Sequence, residues 1–331
     1  MSLPARIQAG LDRWSRPVLA AIEDICPRPT QDRGDMDAML WYQLDSGGKR
    51  LRPLIVLLGA EALGADGEVA LNAAAGIELL HNATLIHDDF QDGDTLRRGR
   101  PTIWKAYGWE QSINAGDGLY FVGLELVAKT AIPGDRLALL CATTARRMAQ
   151  VVRGQVDEFR LKTIERPSEA QYLDVIRGKT AGLFSLPLEA AALVAGASAS
   201  ERAALATAGE ELGLLFQIQD DLLDLVGEKG RDQVGTDIAE GKPSLPVVRA
   251  LHAAEGRVAS RLLEIVKKPR KDTTAAEITE AIGILESSGA LESAFATVRE
   301  LAARVRNADT QIGPLLDDLV TAVLAPIAHR L

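Results

Sequence analysis

Apolar residues recur along this chain with the period of an α-helix in several long stretches. Between Val69 and about Asp92 they return every three or four positions, and Gly93 follows directly. A second stretch, from Ser200 to about Leu225, has the same spacing and is followed by Gly227. Glycine just past the last apolar turn is the usual signal that a helix ends. The pattern therefore predicts two long helices in these positions.

The composition extends this prediction to the whole chain. Alanine and leucine are abundant, aromatic residues make up only 4%, and the alternation of β-branched residues typical of strands is hard to find. We therefore predict an all-α fold. The 331 residues could form one large domain or two ordinary ones, but no linker rich in proline, glycine or serine divides them. A single domain over residues 1–331 is the simpler prediction.

Charge and cysteine content exclude several classes of function. The formal net charge of −9 disfavours nucleic acid as a partner, because phosphate backbones need a basic footprint. Cys26 and Cys141 are too few for a disulfide framework or a zinc site. No uncharged run approaches the ~20 residues of a membrane span, and the first residues lack the apolar segment of a signal peptide. We expect a cytoplasmic protein without stable membrane insertion.

Two acidic clusters are the first sign of chemistry. One reads HDDFQD at 87–92 and the other QDDLLD at 219–224. In each, an aspartate pair spaced by four residues (Asp88 and Asp92, Asp220 and Asp224) shares one helix face, where like charges repel. A solvated acidic helix end would explain one such cluster, but two copies favour binding of hard divalent cations such as Mg²⁺. No Cys or His cluster accompanies them, which disfavours zinc or iron.

Short basic segments lie around these acids. They are GGKRLRP at 47–53, LRRGRPT at 96–102, KT at 179–180 and GKP at 241–243. The first is a glycine-flexed turn that opens a helical pattern at Leu54, and backbone N–H groups at a helix start attract anions. Cationic side chains beside Mg²⁺ are suited to binding diphosphates. Each basic segment alone could be a solvated surface turn, but together they indicate two diphosphate sites.

At this point the sequence resembles the trans-isoprenyl diphosphate synthases of the polyprenyl synthetase family. The matching segments are GGKRLRP at 47–53, ELLHNATLIHDDFQDGDTLRRGRPT at 78–102, GKT at 178–180, FQIQDDLLD at 216–224 and GTDIAEGKPSLP at 235–246. The resemblance implies one large bundle of antiparallel helices around a central cavity, usually as a homodimer. It also implies a Mg²⁺-dependent condensation of isopentenyl diphosphate with an allylic diphosphate, using several ions per site.

The resemblance further implies a role for individual residues. Metal ligands would be the acids Asp88, Asp92 and Asp220, with Asp224 close by. Isopentenyl diphosphate would be bound by Lys49, Arg52, His81 and Arg98. The allylic diphosphate would be bound by Arg97, Lys179 and Lys242. The oxygens of Thr180 and Gln217 would face the developing allylic cation.

This chain departs from the family pattern at two places. Many members carry a lysine shortly before the GTD-like segment, where the nearest cation here is Arg231. Whether Arg231 replaces that lysine is left open by the sequence. Glu158 stands where aspartate is commoner in the segment GQVDE, which keeps the charge on a longer side chain.

Other functions remain as alternatives. A terpene cyclase of the same architecture would replace the second acidic cluster with an Asn/Ser/Glu metal pattern and would not need the GGKRLR segment. A non-catalytic binding subunit would have lost an aspartate cluster, and neither is lost here. An acidic helical scaffold without a ligand leaves unexplained why cations cluster beside the acids.

Product length is predicted from helix geometry together with the resemblance. Thr84 and Ala83, four and five residues before Asp88, lie about one 5.4 Å turn further along the helix. A bulky aromatic there stops the growing chain early in the family, whereas both residues here are small. We therefore expect a product longer than C15, with C20 geranylgeranyl diphosphate favoured over a longer polyprenyl chain. Leu119, Tyr120 and Phe121 are the bulky candidates for the floor of the cavity.

Overall fold

Sixteen α-helices and one short β-ribbon make up the part of the chain that the computed structural model describes, residues 3–226 and 234–331. The first eight helices are α1 (Ala5–Glu23), α2 (Met36–Leu44), α3 (Leu51–Ala62), α4 (Gly67–Gln91), α5 (Ile103–Tyr107), α6 (Trp109–Ala128), α7 (Gly134–Thr163) and α8 (Glu169–Ile176). The others are α9 (Gly182–Ala195), α10 (Ala199–Val226), α11 (Thr236–Ala239), α12 (Leu245–Ala253), α13 (Gly256–Lys267), α14 (Ala275–Ser287), α15 (Ala290–Arg306) and α16 (Gly313–Leu324).

Four shorter elements complete the description. Strands β1 (Leu96–Arg97) and β2 (Arg100–Pro101) form an antiparallel ribbon. Residues Arg177–Ala181 form a π-helical turn between α8 and α9, and 3₁₀ turns cover Arg270–Asp272 and Ala325–Arg330. The all-α prediction is confirmed, since the ribbon pairs only two residues with two.

Both long helices predicted from periodicity are present as α4 and α10. Helix α4 begins after Asp66, whose side chain accepts a hydrogen bond from the backbone N–H of Glu68, and it ends before Gly93, which has a φ of +72°. The helix predicted near Leu54 begins three residues earlier, as α3. Pro53 is tolerated there because the N–H groups in the first turn of a helix have no partner within the helix, so a residue without an N–H loses no hydrogen bond.

Helix α4 lies in the centre of the molecule and packs against α3, α6 and α9. It approaches α6 closely: a Cβ added to Gly76 would lie 2.5 Å from the carbonyl oxygen of Gly123. Among the described residues, α4 is the one helix long and apolar enough to cross a membrane, but 72% of its apolar window is buried by other helices. That burial is typical of a core helix.

The helices surround a central cavity of about 570 Å³. Its wall is formed by side chains from α3, α4, α6, α7, α9, α10 and the π-helical turn. These helices and the remaining ones share one connected apolar core, which runs from Ile7 in α1 to Ile327 near the C-terminus. The expected central cavity is therefore present, and both acidic clusters border it.

Candidate active site

Helices α4 and α10 each carry one acidic cluster toward the same cavity. Asp88, in the last turns of α4, and Asp220, in the last turns of α10, both line its wall. The two clusters are more than a hundred residues apart in sequence, so only the packing of the bundle brings them together. The structure thus gives the cavity an anionic end.

The middle aspartate of each cluster has a different role from its neighbours. Asp89 is 2% exposed and accepts hydrogen bonds from Arg97 with both carboxylate oxygens, at 2.5 to 2.8 Å. Asp221 is 5% exposed and accepts from the Tyr172 hydroxyl at 2.6 Å, the Gln217 amide at 3.0 Å and the Leu245 N–H at 3.2 Å. One residue along a helix is a rotation of about 100°, which turns these acids into the protein.

Asp88 lies in an environment that opposes its charge. Burial raises its pKa to about 6; Lys179, whose Nζ is 3.9 Å away, opposes that rise, while the carboxylates of Glu158 and Asp92 add to it. Asp92 contacts Lys162 of α7, with 3.3 Å between Nζ and Oδ1. Lys162 was not singled out from the sequence, because nothing local places the end of α7 beside the end of α4.

Lys179 and Thr180 lie in the π-helical turn, which is a form of helix often found at functional sites. The turn rests on α7 at Gly154, where an added Cβ would lie 2.1 Å from the backbone nitrogen of Lys179. The Lys179 ammonium also pairs with Glu158 at 2.5 Å. Burial lowers the pKa of Lys179, but Asp88 and Glu158 outweigh burial and raise it, so this cation stays charged.

A chain of hydrogen bonds holds Thr180 in place from behind. The Thr180 hydroxyl donates to the Gln217 carbonyl oxygen at 2.8 Å, and the Gln217 amide donates to Asp221, which is itself held by Tyr172. Because the hydroxyl proton of Thr180 is committed to Gln217, the lone pairs of its oxygen are left for the cavity. Tyr172 and Asp221 were both missed by sequence reasoning, since their contact joins α8 to α10.

A second group of basic residues lines the same cavity. It consists of the cations Lys49, Arg52 and Arg98, together with His81 and the carboxylate of Glu78. The Arg52 guanidinium donates to Nε2 of His81 at 3.0 Å. Burial and the neighbouring Arg52 hold the pKa of His81 well below its usual range, so the ring is a neutral acceptor.

Buried polar atoms in this second group lack protein partners. Nε of Arg52, Nδ1 of His81 and Oε2 of Glu78 are all withdrawn from solvent without a hydrogen bond. Burial lowers the pKa of Arg52 to about 10, with Glu78 opposing, so the side chain is still a cation at neutral pH. Nε of Arg52 and Nδ1 of His81 are donors, and unpaired buried donors beside a cavity indicate that a bound anion completes the site.

Lys242 borders a smaller adjoining cavity of about 150 Å³ that it shares with Asp220, Lys179 and Asp237. Its ammonium contacts Glu240 at 2.6 Å and Asp237 at 4.0 Å. Burial lowers the pKa of Lys242, but these two carboxylates outweigh burial and raise it. The lysine is thus a fixed cation beside Asp220.

Asp224, predicted to lie with the metal ligands, is held by contacts to a neighbouring segment, and its role as a ligand stays a prediction. Asp224 is 2% exposed, and its two carboxylate oxygens accept from the Thr236 hydroxyl at 2.6 Å and the Asp237 N–H at 3.0 Å. Asp224 therefore holds the segment that begins at Gly235 against α10, and Asp237 is the acid of that segment at the cavity. Arg231 lies outside the described residues.

The two residues expected to control product length are placed differently. Thr84 lines the cavity, whereas Ala83 is fully buried and does not border it. Ala83 falls in the stripe of α4 that includes Gly76 and Leu80, which contact Gly123 of α6. Ala83 is therefore corrected from a cavity residue to a packing residue between two helices.

One of the three bulky candidates for the cavity floor borders the cavity. Tyr120 lines its wall, Leu119 is fully buried, and Phe121 is 72% exposed. Successive residues of α6 point in three directions, so a helix can present only one of the three to the cavity.

The aspartates of the two acidic clusters are suited to bind a divalent cation together with the phosphates of a substrate. Within residues 3–226 and 234–331, no group of three His, Cys, Asp or Glu side chains is close enough to hold a metal alone. Mg²⁺ usually keeps several waters and binds through one or two carboxylates plus substrate phosphates. Asp88 and Asp220, which line a cavity with cationic walls, and Asp92, one turn after Asp88, are donors of that kind.

Comparisons with known proteins identify the family of this chain. The model of the polyprenyl synthetase family matches residues 34–285. A short chain isoprenyl diphosphate synthase of Methanothermobacter thermautotrophicus is 36% identical over 87% of this chain and 86% of its own length. An octaprenyl diphosphate synthase of Haemophilus influenzae is 34% identical over 81% and 80%.

A solved structure is similar over almost the whole chain. The polyprenyl synthase of Caulobacter crescentus CB15, complexed with calcium and isoprenyl diphosphate, is 30% identical and covers 98% of both chains with a TM-score of 0.85. The fold is therefore shared with a polyprenyl synthase, and the sequence is similar to synthases of different product names.

Proposed function

Because this chain belongs to the polyprenyl synthetase family and is a trans-prenyl diphosphate synthase, we propose that it makes C20 geranylgeranyl diphosphate. The substrates would be isopentenyl diphosphate and an allylic diphosphate of five to fifteen carbons. A longer polyprenyl diphosphate is the second candidate, since the relatives named above include both short-chain and octaprenyl synthases.

One observation carries this proposal: Asp88 and Asp220 border a single cavity whose walls carry two separate groups of cations. The first group includes Lys179, whose Nζ is 3.9 Å from Asp88, and the second includes Arg52, which donates to His81. Two anionic substrates can thus be bound side by side. A cavity for one diphosphate would not need the second group.

The side chains beside the aspartates are suited to bind the allylic diphosphate. We assign this role to Arg97, Lys179 and Lys242, each held in position by an acid: Asp89, Glu158 and Glu240 respectively. Mg²⁺, held by Asp88, Asp92 and Asp220 when bound, would neutralise charge that grows on the leaving diphosphate. Preorganised cations at a site with little water stabilise such charge strongly.

The allylic carbon becomes cation-like as its diphosphate departs. The oxygens of Thr180 and Gln217 stabilise this carbon, and the apolar side chains of Leu183, Phe184 and Phe216 keep water from it. The double bond of isopentenyl diphosphate, bound by Lys49, Arg52, His81 and Arg98, forms the new carbon–carbon bond. The proton that is then lost goes to the departing diphosphate, so no side-chain base is required.

Product length is tested at the cavity wall. The Thr84→Phe variant places a ring beside the growing chain, and we expect it to shorten the main product from C20 to C15 or less, as measured by mass spectrometry. Ala83→Phe is the matched comparison, because its ring would enter the packing of α4 on α6 and lower stability instead. An unchanged product from an active, folded Thr84→Phe enzyme would contradict the proposed path of the chain.

We also propose that the working unit is a homodimer in the cytoplasm. Its support is the exposed apolar surface of α6, where Trp109 is 54% exposed and Phe121 is 72% exposed. Large apolar side chains exposed along one helix favour an interaction surface. Sedimentation velocity of the purified protein tests the dimer.

A further inference from the structure

Three lysines surround the first acidic cluster, and one of them differs in what it contacts. Lys179 and Lys242 form their shortest contacts with Glu158 and Glu240, which are not candidate metal ligands. Lys162 contacts Asp92, a candidate ligand itself, with 3.3 Å between Nζ and Oδ1. The side chains of Lys162 and Asp92 are only 23% and 16% exposed, so solvent screens this pair weakly.

A second lysine caps the helix end near Lys162. Lys162 lies in the last turn of α7, whose carbonyl oxygens have no partners within the helix. The ammonium of Lys267, at the end of α13, donates to the carbonyls of Lys162 and Ile164, at 2.8 Å each. Since another lysine caps this helix end, the Lys162 ammonium is available for Asp92.

An ammonium in this position competes with a divalent cation for the same carboxylate. A metal ion bound to Asp92 would have the Lys162 charge within a few ångströms, and the two cations repel. A diphosphate brings negative charge that the displaced ammonium can contact instead. Binding of diphosphate would therefore remove the repulsion between the Lys162 ammonium and the metal ion.

We propose that Lys162 couples metal binding to diphosphate binding: it opposes entry of a bare cation at Asp92 and permits entry of the cation together with diphosphate. This inference rests on the proposed function, because it takes Asp92 as a metal ligand. It adds a residue outside the segments on which the family resemblance rests. Lys162 acts here as a positioning residue that works through Asp92.

The test measures metal binding directly. Binding of Mn²⁺ to the full-length, metal-free protein is followed by electron paramagnetic resonance, with and without saturating inorganic diphosphate. The variants are Lys162→Gln, Lys162→Arg and, as the matched control, Arg160→Gln. Arg160 lies on the same helix two residues away, is 79% exposed and pairs with Asp157, so its loss changes the net charge equally.

We expect Lys162→Gln to bind Mn²⁺ alone about fivefold more tightly than the wild type, the size typical of losing one partly buried competing charge. Lys162→Arg and Arg160→Gln should stay within about twofold of wild type, and diphosphate should abolish the advantage of Lys162→Gln. The proposal is overturned if Lys162→Gln binds bare Mn²⁺ no more tightly, if diphosphate leaves its advantage unchanged, or if Arg160→Gln gains as much.

Failure of the proposed function is distinguishable from failure of this inference. Wild-type protein is incubated in parallel with isopentenyl diphosphate, farnesyl diphosphate and Mg²⁺. Absence of a prenyl product would refute the function, whereas normal product with unaltered Mn²⁺ binding in Lys162→Gln would refute only the role of Lys162.

Discussion

Replacing Asp88 with asparagine should stabilise the protein while it removes activity. The carboxylate is 22% exposed, and its pKa is raised from 3.8 to about 6, chiefly by burial. The folded state therefore opposes the charged form that is present at neutral pH. Asparagine keeps the shape without the charge, and Lys179 keeps its contact with Glu158 at 2.5 Å, so no cation is left unpaired.

The size of the effect follows from the shift in pKa. A rise of about two units corresponds to about 3 kcal/mol at most, since each unit is worth about 1.4 kcal/mol. Asp88→Asn should recover about half of this or more, which for a chain of this size raises Tm by roughly 2 to 4 °C. Turnover should fall by orders of magnitude, because the variant loses a metal-binding carboxylate.

The raised pKa of Asp88 also determines how the stability gained by Asp88→Asn depends on pH. Above pH 6 Asp88 is charged in both folded and unfolded chains, so the folded wild type carries the whole penalty. As pH falls from 6 toward 3.8 the folded carboxyl is protonated first, and the penalty disappears. The advantage of Asp88→Asn should thus be full at pH 8 and much smaller at pH 4.5.

Thermal unfolding followed by circular dichroism, in the presence of a chelator, measures this difference. Asp157→Asn is the matched control, since Asp157 is 50% exposed on α7 and its loss should change stability by no more than about 0.5 kcal/mol. Equal or lower stability of Asp88→Asn at pH 8 would refute the assignment of Asp88 as a carboxylate held at an energetic cost.

Three other variants test two separate parts of the site. Arg52→Gln, and to a smaller degree Lys49→Gln, should raise KM for isopentenyl diphosphate more than KM for the allylic substrate. Equal increases of the two KM values in steady-state kinetics would mean that these residues act only through the overall electrostatic field of the cavity. Gly154→Ala places a Cβ 2.1 Å from the backbone nitrogen of Lys179 and should lower kcat at least tenfold by displacing the π-helical turn. Gly134→Ala, with nothing within 4 Å of its Cβ, is the control, and similar kinetics for the two alanine variants would contradict this role of Gly154.

Sequence reasoning succeeded where the signal is local. Helices α4 and α10 were predicted because their apolar period and flanking glycine are properties of neighbouring residues. The four-residue spacing of Asp88 and Asp92 likewise predicts one shared face without any knowledge of the fold.

Features that depend on packing could not be read from the sequence. Asp224 has the spacing of a metal ligand but is used by Thr236 and the Asp237 N–H, twelve and thirteen residues further along. The side chains of Ala83 and Thr84 point about 100° apart around the axis of α4. Only the position of α6 decides which of them borders the cavity. Lys162 becomes part of the site because α7 ends beside α4.

The central claim is that this cavity joins isopentenyl diphosphate to an allylic diphosphate. The most direct measurement is incubation of the purified wild-type protein with isopentenyl diphosphate, farnesyl diphosphate and Mg²⁺, followed by mass spectrometry of the products, with Asp220→Ala in parallel. The account predicts a C20 prenyl diphosphate from the wild type and a loss of most product from Asp220→Ala. A folded wild-type protein that forms no prenyl diphosphate, or an Asp220→Ala variant with undiminished turnover, would contradict it.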